Sequence, residues 1–309
     1  MINKVEKWGF IVNPIAGNGY ALSVVPKIEE AITAHDINGK ILFTERSGHA
    51  TELSMELMKE GYNYIIAVGG DGTVNEVSQP LINASDITVG VVPAGTGNDF
   101  IQILGFPDRF SDSDWDILFK AETRTMDTGS CNGRVFLNGM GLGFDAEVAA
   151  QNYTEPGKVK KGGKHKYIWH IIKTLLFFRE KKMVVRDGEN QSETDCFINT
   201  IAIGRRFAGG FFLTPGAIAD DGLLDVCMIK KLNLLQRFKL LLKVPSGEHI
   251  HDKKVHYYTT GEIHISFTEE VPFHVDGELN YSFNFKVRLI PDSLRIIYNP
   301  DGNHYFRKN

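Results

Sequence analysis

The chain has 309 residues, enough for two domains of ordinary size with a large apolar core. Its composition, 42% hydrophobic and 23% charged, is typical of a soluble globular protein. The net charge of −4 and the lack of a basic tract with interleaved aromatic residues argue against nucleic acid as a partner.

The cysteines and the N-terminus indicate a cytoplasmic protein. Cys131, Cys196 and Cys227 are widely spaced and odd in number, which disfavours a disulfide framework or a zinc site and favours a reducing compartment. The first nine residues lack the apolar core of a signal peptide, and no apolar stretch reaches the roughly 20 residues needed to span a bilayer.

The first part of the chain alternates short apolar strands with helical stretches. Strands are predicted at Phe10–Val12, Lys40–Phe43, Tyr64–Val68 and Ile87–Val92, and helices at Tyr20–His35, Gly48–Glu60, Thr73–Leu81 and Ser111–Lys120. This order is typical of a parallel sheet covered by helices. We therefore predict an α/β domain over residues 1–125.

Three of these strands end in loops rich in glycine, asparagine and aspartate. The loops run from Asn13 to Gly19, from Gly69 to Asn75 and from Pro93 to Phe100. The carboxyl ends of parallel strands form the edge where open α/β sheets bind ligands. Glycine lets the backbone approach phosphates, and a helix that starts near Thr73 offers free N–H groups. The three loops together predict a nucleotide site.

Asp71 is the exceptional residue of the second loop. A carboxylate beside phosphates repels them unless it binds a metal ion or takes a proton, so its position indicates catalysis. The alternative is a tight turn in which Asp71 only caps the following helix.

From about residue 126 the pattern changes to the period of two expected for strands. Strands are predicted at Arg134–Asn138, Cys196–Ile203, Leu223–Ile229, His256–Thr260, Glu262–Phe267, Phe273–Val275 and Phe283–Leu289. The second domain, residues 126–295, is therefore predicted to be mostly antiparallel β-sheet.

Two helices are predicted within this half, at His165–Phe178 and Leu232–Val244. The first has Ile168, Ile171, Ile172 and Leu175 on one face, with Lys166, His170, Lys173 and Thr174 on the other. It follows a basic group formed by Lys158, Lys160, Lys161 and Lys164. The second has Leu234, Leu235, Phe238, Leu241 and Leu242 on one face, with Arg237, Lys239 and Lys243 on the other. Either they pack as ordinary surface helices, or their basic faces lie on anionic lipid.

Two acidic turns complete the candidate residues. Asp220-Asp221-Gly222 suits a hard cation with oxygen ligands, and a solvated turn is the alternative. Asp276-Gly277 predicts a β-hairpin without any further role. Glu278, which follows it, is either a surface residue or a carboxylate presented toward Asp71.

Taken together, these segments resemble the diacylglycerol kinase catalytic-domain family, the soluble bacterial lipid kinases related to sphingosine and ceramide kinases. The matching segments are Asn13-Pro14 with Gly17, Gly69 to Val77, Pro93 to Phe100, Met126 to Gly129, Gly141 to Val148, Gly209-Gly210 with Pro215, Asp220 to Asp225, and Val275 to Glu278. They occur in family order over nearly the whole chain. The Gly-Gly-Asp-Gly loop alone is shared with NAD kinases and phosphofructokinase-like enzymes.

The resemblance implies an N-terminal domain like that of NAD kinases, a C-terminal β-sandwich-like domain and a tail near residues 296–309 that returns to the first domain. It implies a Mg²⁺-dependent ATP site at Asn13, Pro14, Gly17, Thr44, Gly69, Gly70, Gly72, Thr73, Asn75, Gly95, Thr96 and Gly97. Glu278 matches the family's proton acceptor. Asp71 is its partner carboxylate, with Asp99 and Asp127 in the catalytic Mg²⁺ network. A structural Mg²⁺ is implied at Asp221, with backbone oxygens of Ile218 and Leu223.

The expected reaction is phosphoryl transfer to a lipid hydroxyl by a cytoplasmic enzyme that associates peripherally with an anionic membrane. The oligomeric state, including a homodimer, is left open. Two departures from the family are Ile101-Gln102, where Ala-Arg is common, and Ser78-Gln79-Pro80, which should shorten a helix. The alternatives are a kinase of another lipid alcohol or of a soluble substrate such as NAD, and a non-enzymatic nucleotide- or lipid-binding protein.

Overall fold

The computed structural model describes residues 6–155, 158–159 and 164–308, and side chains for these residues except 151–168 and 170. The chain divides into two compact units. The first contains Met1–Thr128, Ala219–Asp221 and Pro291–Asn309, and the second contains Gly129–Ile218 and Gly222–Ile290.

The first unit contains alternating strands and helices. They are β1 (Lys7–Val12), α1 (Tyr20–Ala34), β2 (Asn38–Phe43), α2 (His49–Lys59), β3 (Tyr64–Gly69), α3 (Asp71–Ser78), β4 (Thr88–Pro93), α4 (Asp112–Lys120) and β5 (Thr123–Cys131), whose last residues belong to the second unit. Every residue of β4 is buried, as expected for a strand covered on both faces.

Strands β1 to β4 pair in parallel, and their C-terminal residues are in register. β1 lies between β2 and β3, and β3 pairs with β4. Val12 is opposite both Phe43 and Val68, while Val68 is opposite Val92. The register therefore brings the loops that follow these four strands to the same edge of the sheet.

Local sequence sets the helix ends in this unit. Ser111 and Asp114 form a capping box at the start of α4. Helix α3 ends at Ser78 and is followed by a 3-10 turn at Gln79–Leu81. Pro80 has no N–H for a helical hydrogen bond, so the predicted shortening of this helix is confirmed, and its predicted end at Leu81 is wrong.

The second unit is mostly antiparallel β-sheet, as the sequence predicts. Its elements are β6 (Arg134–Phe136), β7 (Gly139–Gly143), α5 (Phe144–Asn152), β8 (Tyr153–Glu155), β9 (Lys158–Val159), α6 (Lys164–Phe177), β10 (Lys181–Asp187), β11 (Asn190–Ala202), β12 (Arg206–Phe207), β13 (Phe211–Phe212), β14 (Leu224–Lys230), α7 (Leu234–Leu241), β15 (Val255–Thr260), β16 (Glu262–Val275) and β17 (Glu278–Ile297). The last residues of β17 belong to the first unit, where Ile296 pairs in parallel with Val89 of β4.

The main sheet of this unit has neighbouring strands in the order β15-β14-β11-β10-β16-β17. β7 also lies between β11 and β16, and pairs with a different part of each strand than β10 does. Strand β10 was not predicted; its residues Met183 and Val185 are buried, but charged residues occupy both ends. The two strands predicted at Glu262–Phe267 and Phe273–Val275 form the single strand β16, which is continuous through an irregularity between Ser266 and Val271.

Helix α6 follows the predicted faces at Leu175, which is buried, and at Lys173, which is exposed, but two other positions differ. Thr174, placed on the polar face, is buried. Ile172, placed on the packing face, is exposed. Among the described side chains of α6, the large apolar ones that are exposed to solvent are Trp169, Ile172, Leu176 and Phe177. The side chains of Lys158, Lys160, Lys161, Lys164, Lys166, Ile168 and His170 lie outside the described part of the chain.

Helix α7 departs from its predicted orientation in the same way. Arg237, predicted on an exposed basic face, is buried and lies against Glu180. Leu234, Leu235, Phe238 and Leu242 are exposed instead. We call the exposed apolar residues of α6 and α7, with Leu242 directly after α7, the outer face. Within the described residues no helix is both long enough and apolar enough to cross a bilayer.

Candidate active site

A cavity of about 660 Å³ lies in the first unit, at the edge of the parallel sheet where β1 to β4 end. The loops after β1, β2, β3 and β4 all contribute to its walls. The lining residues are Asn13, Pro14, Ile15, Ala16, Gly17, Asn18, Thr44, Glu45, Arg46, Ser47, Ala50, Gly70, Asp71, Gly72, Thr73, Glu76, Gly95, Thr96 and Gly97. Its volume is within the range of small-molecule sites, and its position is the one at which open α/β sheets bind ligands.

Two kinds of glycine line this cavity. Some are required by the fold, because a Cβ on Gly17 would lie 2.3 Å from the carbonyl oxygen of Ala94, and one on Gly95 would lie 2.4 Å from the Cα of Gly70. Gly17 also has a φ of +59°, which favours glycine. In contrast, a Cβ on Gly72 or Gly97 would have no atom within 4 Å. The protein itself therefore does not require glycine at these two positions.

Side-chain hydrogen bonds join the loops to one another. The Asn13 amide donates to the hydroxyl of Thr73 at 3.0 Å, which joins the first loop to the start of α3. The Asn98 side chain accepts from the Gly95 N–H at 3.1 Å. Arg109 donates to the carbonyl oxygens of Pro93 and Gly95 at 3.3 and 2.7 Å, and its guanidinium lies 4.2 Å from the centre of the Tyr20 ring. The backbone that faces the cavity is therefore held in place before any ligand binds.

Asp71 joins the second and third loops. Its carboxylate oxygens accept the N–H groups of Asp99 and Phe100 at 3.0 and 3.1 Å. These donors open the 3-10 helix Phe100–Gln102, so the carboxylate lies at a positive helix end. Asp71 is also one of the residues that line the cavity, and each of its carboxylate oxygens can accept more than one bond. Asp71 therefore joins the two loops at the wall of the cavity.

The structure brings together nearly all residues predicted to bind the nucleotide. All of them line the cavity except Gly69 and Asn75. Gly69 is the last residue of β3, and a Cβ there would lie 2.5 Å from the Thr73 hydroxyl oxygen, so its small size serves packing. Asn75 accepts a hydrogen bond from Gln79 at 3.0 Å along α3.

One polar wall of the cavity was not predicted. It is formed by Glu45, Arg46 and Ser47 after β2 and by Glu76 on α3. Arg46 pairs with Glu52 at 2.6 Å, and Glu76 accepts the N–H of Ala50 at 3.3 Å at the start of α2. The available signal was the end of β2 itself, since β1, β3 and β4 also end at the cavity edge.

Asp99 and Asp127, which were predicted for the catalytic Mg²⁺ network, both belong to the first unit. Asp99 and Asp127 are buried, and the Asp127 carboxylate accepts the N–H of Asp292 at 2.8 Å. Among the residues that the structure describes, no group of three or more His, Cys, Asp or Glu side chains is arranged to hold a metal ion. A network that reaches a metal through water does not need such a group, so this part stays a prediction.

The turn at residues 219–221 is connected to the C-terminal tail of the first unit. Asp220 accepts the Arg307 N–H at 2.7 Å and lies 3.5 Å from the Arg124 guanidinium, while the carbonyl oxygen of Asp221 accepts from the Arg307 side chain at 2.7 Å. Ile218 and Leu223, the other predicted ligands of the structural Mg²⁺, belong to the second unit. That metal site also stays a prediction.

Glu278 begins β17 in the second unit and is exposed. It lies directly after a tight hairpin turn, opposite Val275. Asp276, which was assigned no role beyond the turn, has a φ of +45°. Its carboxylate accepts the N–H groups of Leu137, Asn138 and Gly139 at 2.7, 3.0 and 2.9 Å. These bonds hold the hairpin and therefore the backbone that carries Glu278.

Comparisons with known proteins cover both units. Residues 7–131 match the model of the diacylglycerol kinase catalytic domain, and residues 139–298 match the YegS C-terminal NAD kinase beta sandwich-like domain. A diacylglycerol kinase of Bacillus subtilis (strain 168) is 31% identical over 279 residues, covering 87% of this chain and 88% of that protein. The diacylglycerol kinase of Staphylococcus saprophyticus is 26% identical over 270 residues, with 87% of each chain covered.

Two solved structures of Bacillus anthracis str. Sterne proteins are similar to this chain. One is 26% identical, with a TM-score of 0.78 over 96% of this chain and 99% of the other. The second, a diacylglycerol kinase, has the same fold with a TM-score of 0.73 at 23% identity over 96% of this chain and 98% of the other. Both domain models and the relatives agree, and the chain belongs to the diacylglycerol kinase catalytic-domain family of lipid kinases.

Proposed function

We propose that the protein transfers the γ-phosphate of ATP to the hydroxyl of diacylglycerol or a related lipid, which gives phosphatidic acid from diacylglycerol. The observation that carries the proposal is the cavity in the first unit. Its walls are pre-ordered glycine loops, two of whose glycines have open space where a Cβ would be. Backbone that is open and unobstructed at a helix start suits the phosphates of a nucleotide.

The loops supply the positioning that phosphoryl transfer needs, because this reaction depends on alignment and charge stabilisation more than on covalent work by the protein. The N–H groups around Gly72 and Gly97 would bind the phosphates. Thr44 and Thr96, on other walls of the cavity, would contact the nucleotide through their hydroxyls or backbone.

The donor set at the cavity fits a hard divalent cation. Asp71 is an acidic residue of the cavity lining, and Asp99 and Asp127 are buried carboxylates in the same unit. Asp71 would hold Mg²⁺, with Asp99 and Asp127 acting through water. A structural Mg²⁺ would have Asp221 and the carbonyl oxygens of Ile218 and Leu223 as ligands. The catalytic ion, when bound, neutralises charge on the triphosphate.

Glu278 would accept the proton of the lipid hydroxyl. The bond between that oxygen and the γ-phosphorus forms as the bond to ADP breaks, and the proton moves to the Glu278 carboxylate. Its exposure leaves it accessible to substrate, and the three hydrogen bonds of Asp276 hold its hairpin. A general base of this kind contributes about 10² to 10⁴ in rate.

The lipid substrate places the enzyme at the cytoplasmic surface of a membrane that contains anionic lipid. The similarity to relatives named diacylglycerol kinase favours diacylglycerol as the acceptor. Another lipid alcohol or a soluble acceptor such as NAD is the alternative outcome of a substrate comparison.

The test is ATP-dependent label transfer into diacylglycerol in anionic vesicles with Mg²⁺. Glu278→Gln should bind Mg-ATP as the parent does and lose about 10² to 10⁴ in turnover. Asp71→Asn, which keeps one acceptor oxygen, should abolish transfer, with thermal unfolding checking that the loops remain ordered. Transfer by the parent to NAD but to no lipid would overturn the proposal, and near-parental turnover by Glu278→Gln would remove that residue from the mechanism.

A further inference from the structure

The outer face of α6 and α7 carries large apolar side chains in solvent. Trp169 is 62% exposed, Phe177 74%, Leu235 64% and Leu242 83%. Single exposed apolar residues are common on protein surfaces, but several on adjacent elements mark an interaction site. On α6, Trp169, Ile172 and Leu176 follow helical spacing, so they form one stripe.

The two helices pack side by side on a common core. Leu175 from α6 and Leu240 from α7 belong to one buried cluster, which also contains Phe144 and Phe197. The helices also contact each other directly. The inner residues of both helices rest on this cluster, and the exposed apolar residues therefore lie on two neighbouring helices.

Arg237 fixes this arrangement from inside. Its guanidinium donates to the carbonyl oxygens of Leu175 and Phe178 at 2.7 and 3.0 Å, at the C-terminal end of α6. It also pairs with buried Glu180 at 2.8 Å. A cation at a helix C-terminus is favourable, and a buried charge needs its partner. Helix α7 therefore cannot turn Leu234 and Leu235 inward without removing Arg237 from these bonds.

The charge around the outer face determines which partner it fits. Residues 164–178 and 231–243 contain no aspartate or glutamate. Lys173, Lys239 and Lys243 are exposed on the same helices. In a two-fold dimer through this face, the same patch of both copies would meet and bring like charges together. An anionic lipid surface complements both the lysines and the apolar side chains.

We propose that the outer face inserts its apolar side chains into an anionic bilayer, to the depth of about 5–10 Å that is usual for interfacial helices. This inference rests on the proposed function, because the enzyme would take its lipid substrate from that bilayer. It differs from contact through a basic helix face, because here the apolar side chains enter the membrane and the lysines only assist.

Tryptophan fluorescence tests insertion directly. The chain has three tryptophans, and Trp8 and Trp115 are buried at 1% and 7% exposure. A change on adding vesicles therefore reports on Trp169. With phosphatidylglycerol-containing vesicles we expect a blue shift and quenching by brominated acyl chains. Both should persist in about 1 M salt, where the Debye length is only about 3 Å.

Matched variants locate the contact. Leu235→Ser with Leu242→Ser should lower the vesicle partition coefficient at least about tenfold, because each leucine loses its transfer from water into lipid. Leu22→Ser is the control, since Leu22 is 50% exposed on α1 of the first unit. Three results would overturn the inference: no blue shift with vesicles, a shift abolished by salt, or a shift that appears without vesicles as protein concentration rises, which would indicate a second copy as the occupant.

A kinase assay separates this inference from the proposed function. The double leucine variant should phosphorylate a short-chain diacylglycerol dissolved as monomers at the parental rate and lose activity only on vesicles. Equal activity of variant and parent on vesicles would overturn the docking inference alone. Insertion of Trp169 without phosphorylation of any lipid would overturn the proposed function and leave the docking surface standing.

Discussion

Gly72→Ala should make the protein more stable and a poorer binder of ATP. Gly72 is the second residue of α3, and its φ is outside the left-handed region. A Cβ there would have no atom within 4 Å. Alanine therefore fits the folded backbone and restricts the unfolded chain, which should raise the free energy of unfolding by about 0.5–1 kcal/mol.

Gly72 lines the cavity, so the new methyl group would lie at the cavity wall. If phosphate approaches this backbone, the methyl group holds it away from the N–H groups, and the dissociation constant for Mg-ATP should rise at least about tenfold, or about 1.4 kcal/mol. Chemical denaturation measures the first effect and titration calorimetry with Mg-ATP the second. The two free energies should change in opposite directions.

Two further glycine variants serve as controls. In Gly95→Ala the new Cβ would lie 2.4 Å from the Cα of Gly70, so stability and ATP affinity should both fall. Gly261 also has open space at its Cβ position, but it belongs to the second unit, so Gly261→Ala should leave ATP affinity unchanged. Parental ATP affinity in Gly72→Ala would refute the argument that a ligand, and not the fold, requires this glycine.

Three other predictions concern buried polar groups. Arg237→Met should lower the free energy of unfolding, measured in urea, by about 3–5 kcal/mol, because Glu180 would remain buried without its cation. Adding Glu180→Gln should recover part of this loss. An equal loss in the single and double variants would contradict the prediction. Burial lowers the pKa of His249 below its usual 6.5, so the unfolded state takes up the proton first. The free energy of unfolding should therefore fall as the pH drops through 6.5. A His249→Asn variant should show a smaller fall between about pH 7.5 and 5.5. Burial raises the pKa of all three cysteine thiols, so a thiol reagent should label the native protein slowly and the urea-unfolded protein fast, and rapid native labelling would refute their burial. These thiols are Cys131 and Cys227, each with a pKa of about 12, and Cys196.

Motifs with a local physical cause were predictable from the sequence. The apolar run before Gly69 requires a buried strand, and the glycines that follow require a loop where the backbone approaches closely. Pro80 shortens α3 because its ring nitrogen has no N–H for a helical hydrogen bond. Strands β1 to β4 and the loops that follow them could therefore be placed to within a few residues, whereas β5 was not predicted.

Features that depend on distant residues were not predictable. Strand β10 has only two buried residues, Met183 and Val185, and its pairing with β11 and β16 decides that it is a strand. The role of Asp276 depends on three N–H groups contributed by residues 137–139. No pattern near the hairpin shows where those donors lie.

The sequence by itself determined that the first half is built from strands ending in glycine loops, and that α6 and α7 each carry an apolar stripe. Only the tertiary structure decided which side of each helix faces the core. Periodicity shows that a stripe exists, but its direction depends on partners elsewhere in the chain. Glu180 and the carbonyl oxygens at the end of α6 stabilise Arg237 in the interior, and this leaves Leu234 and Leu235 of α7 in solvent.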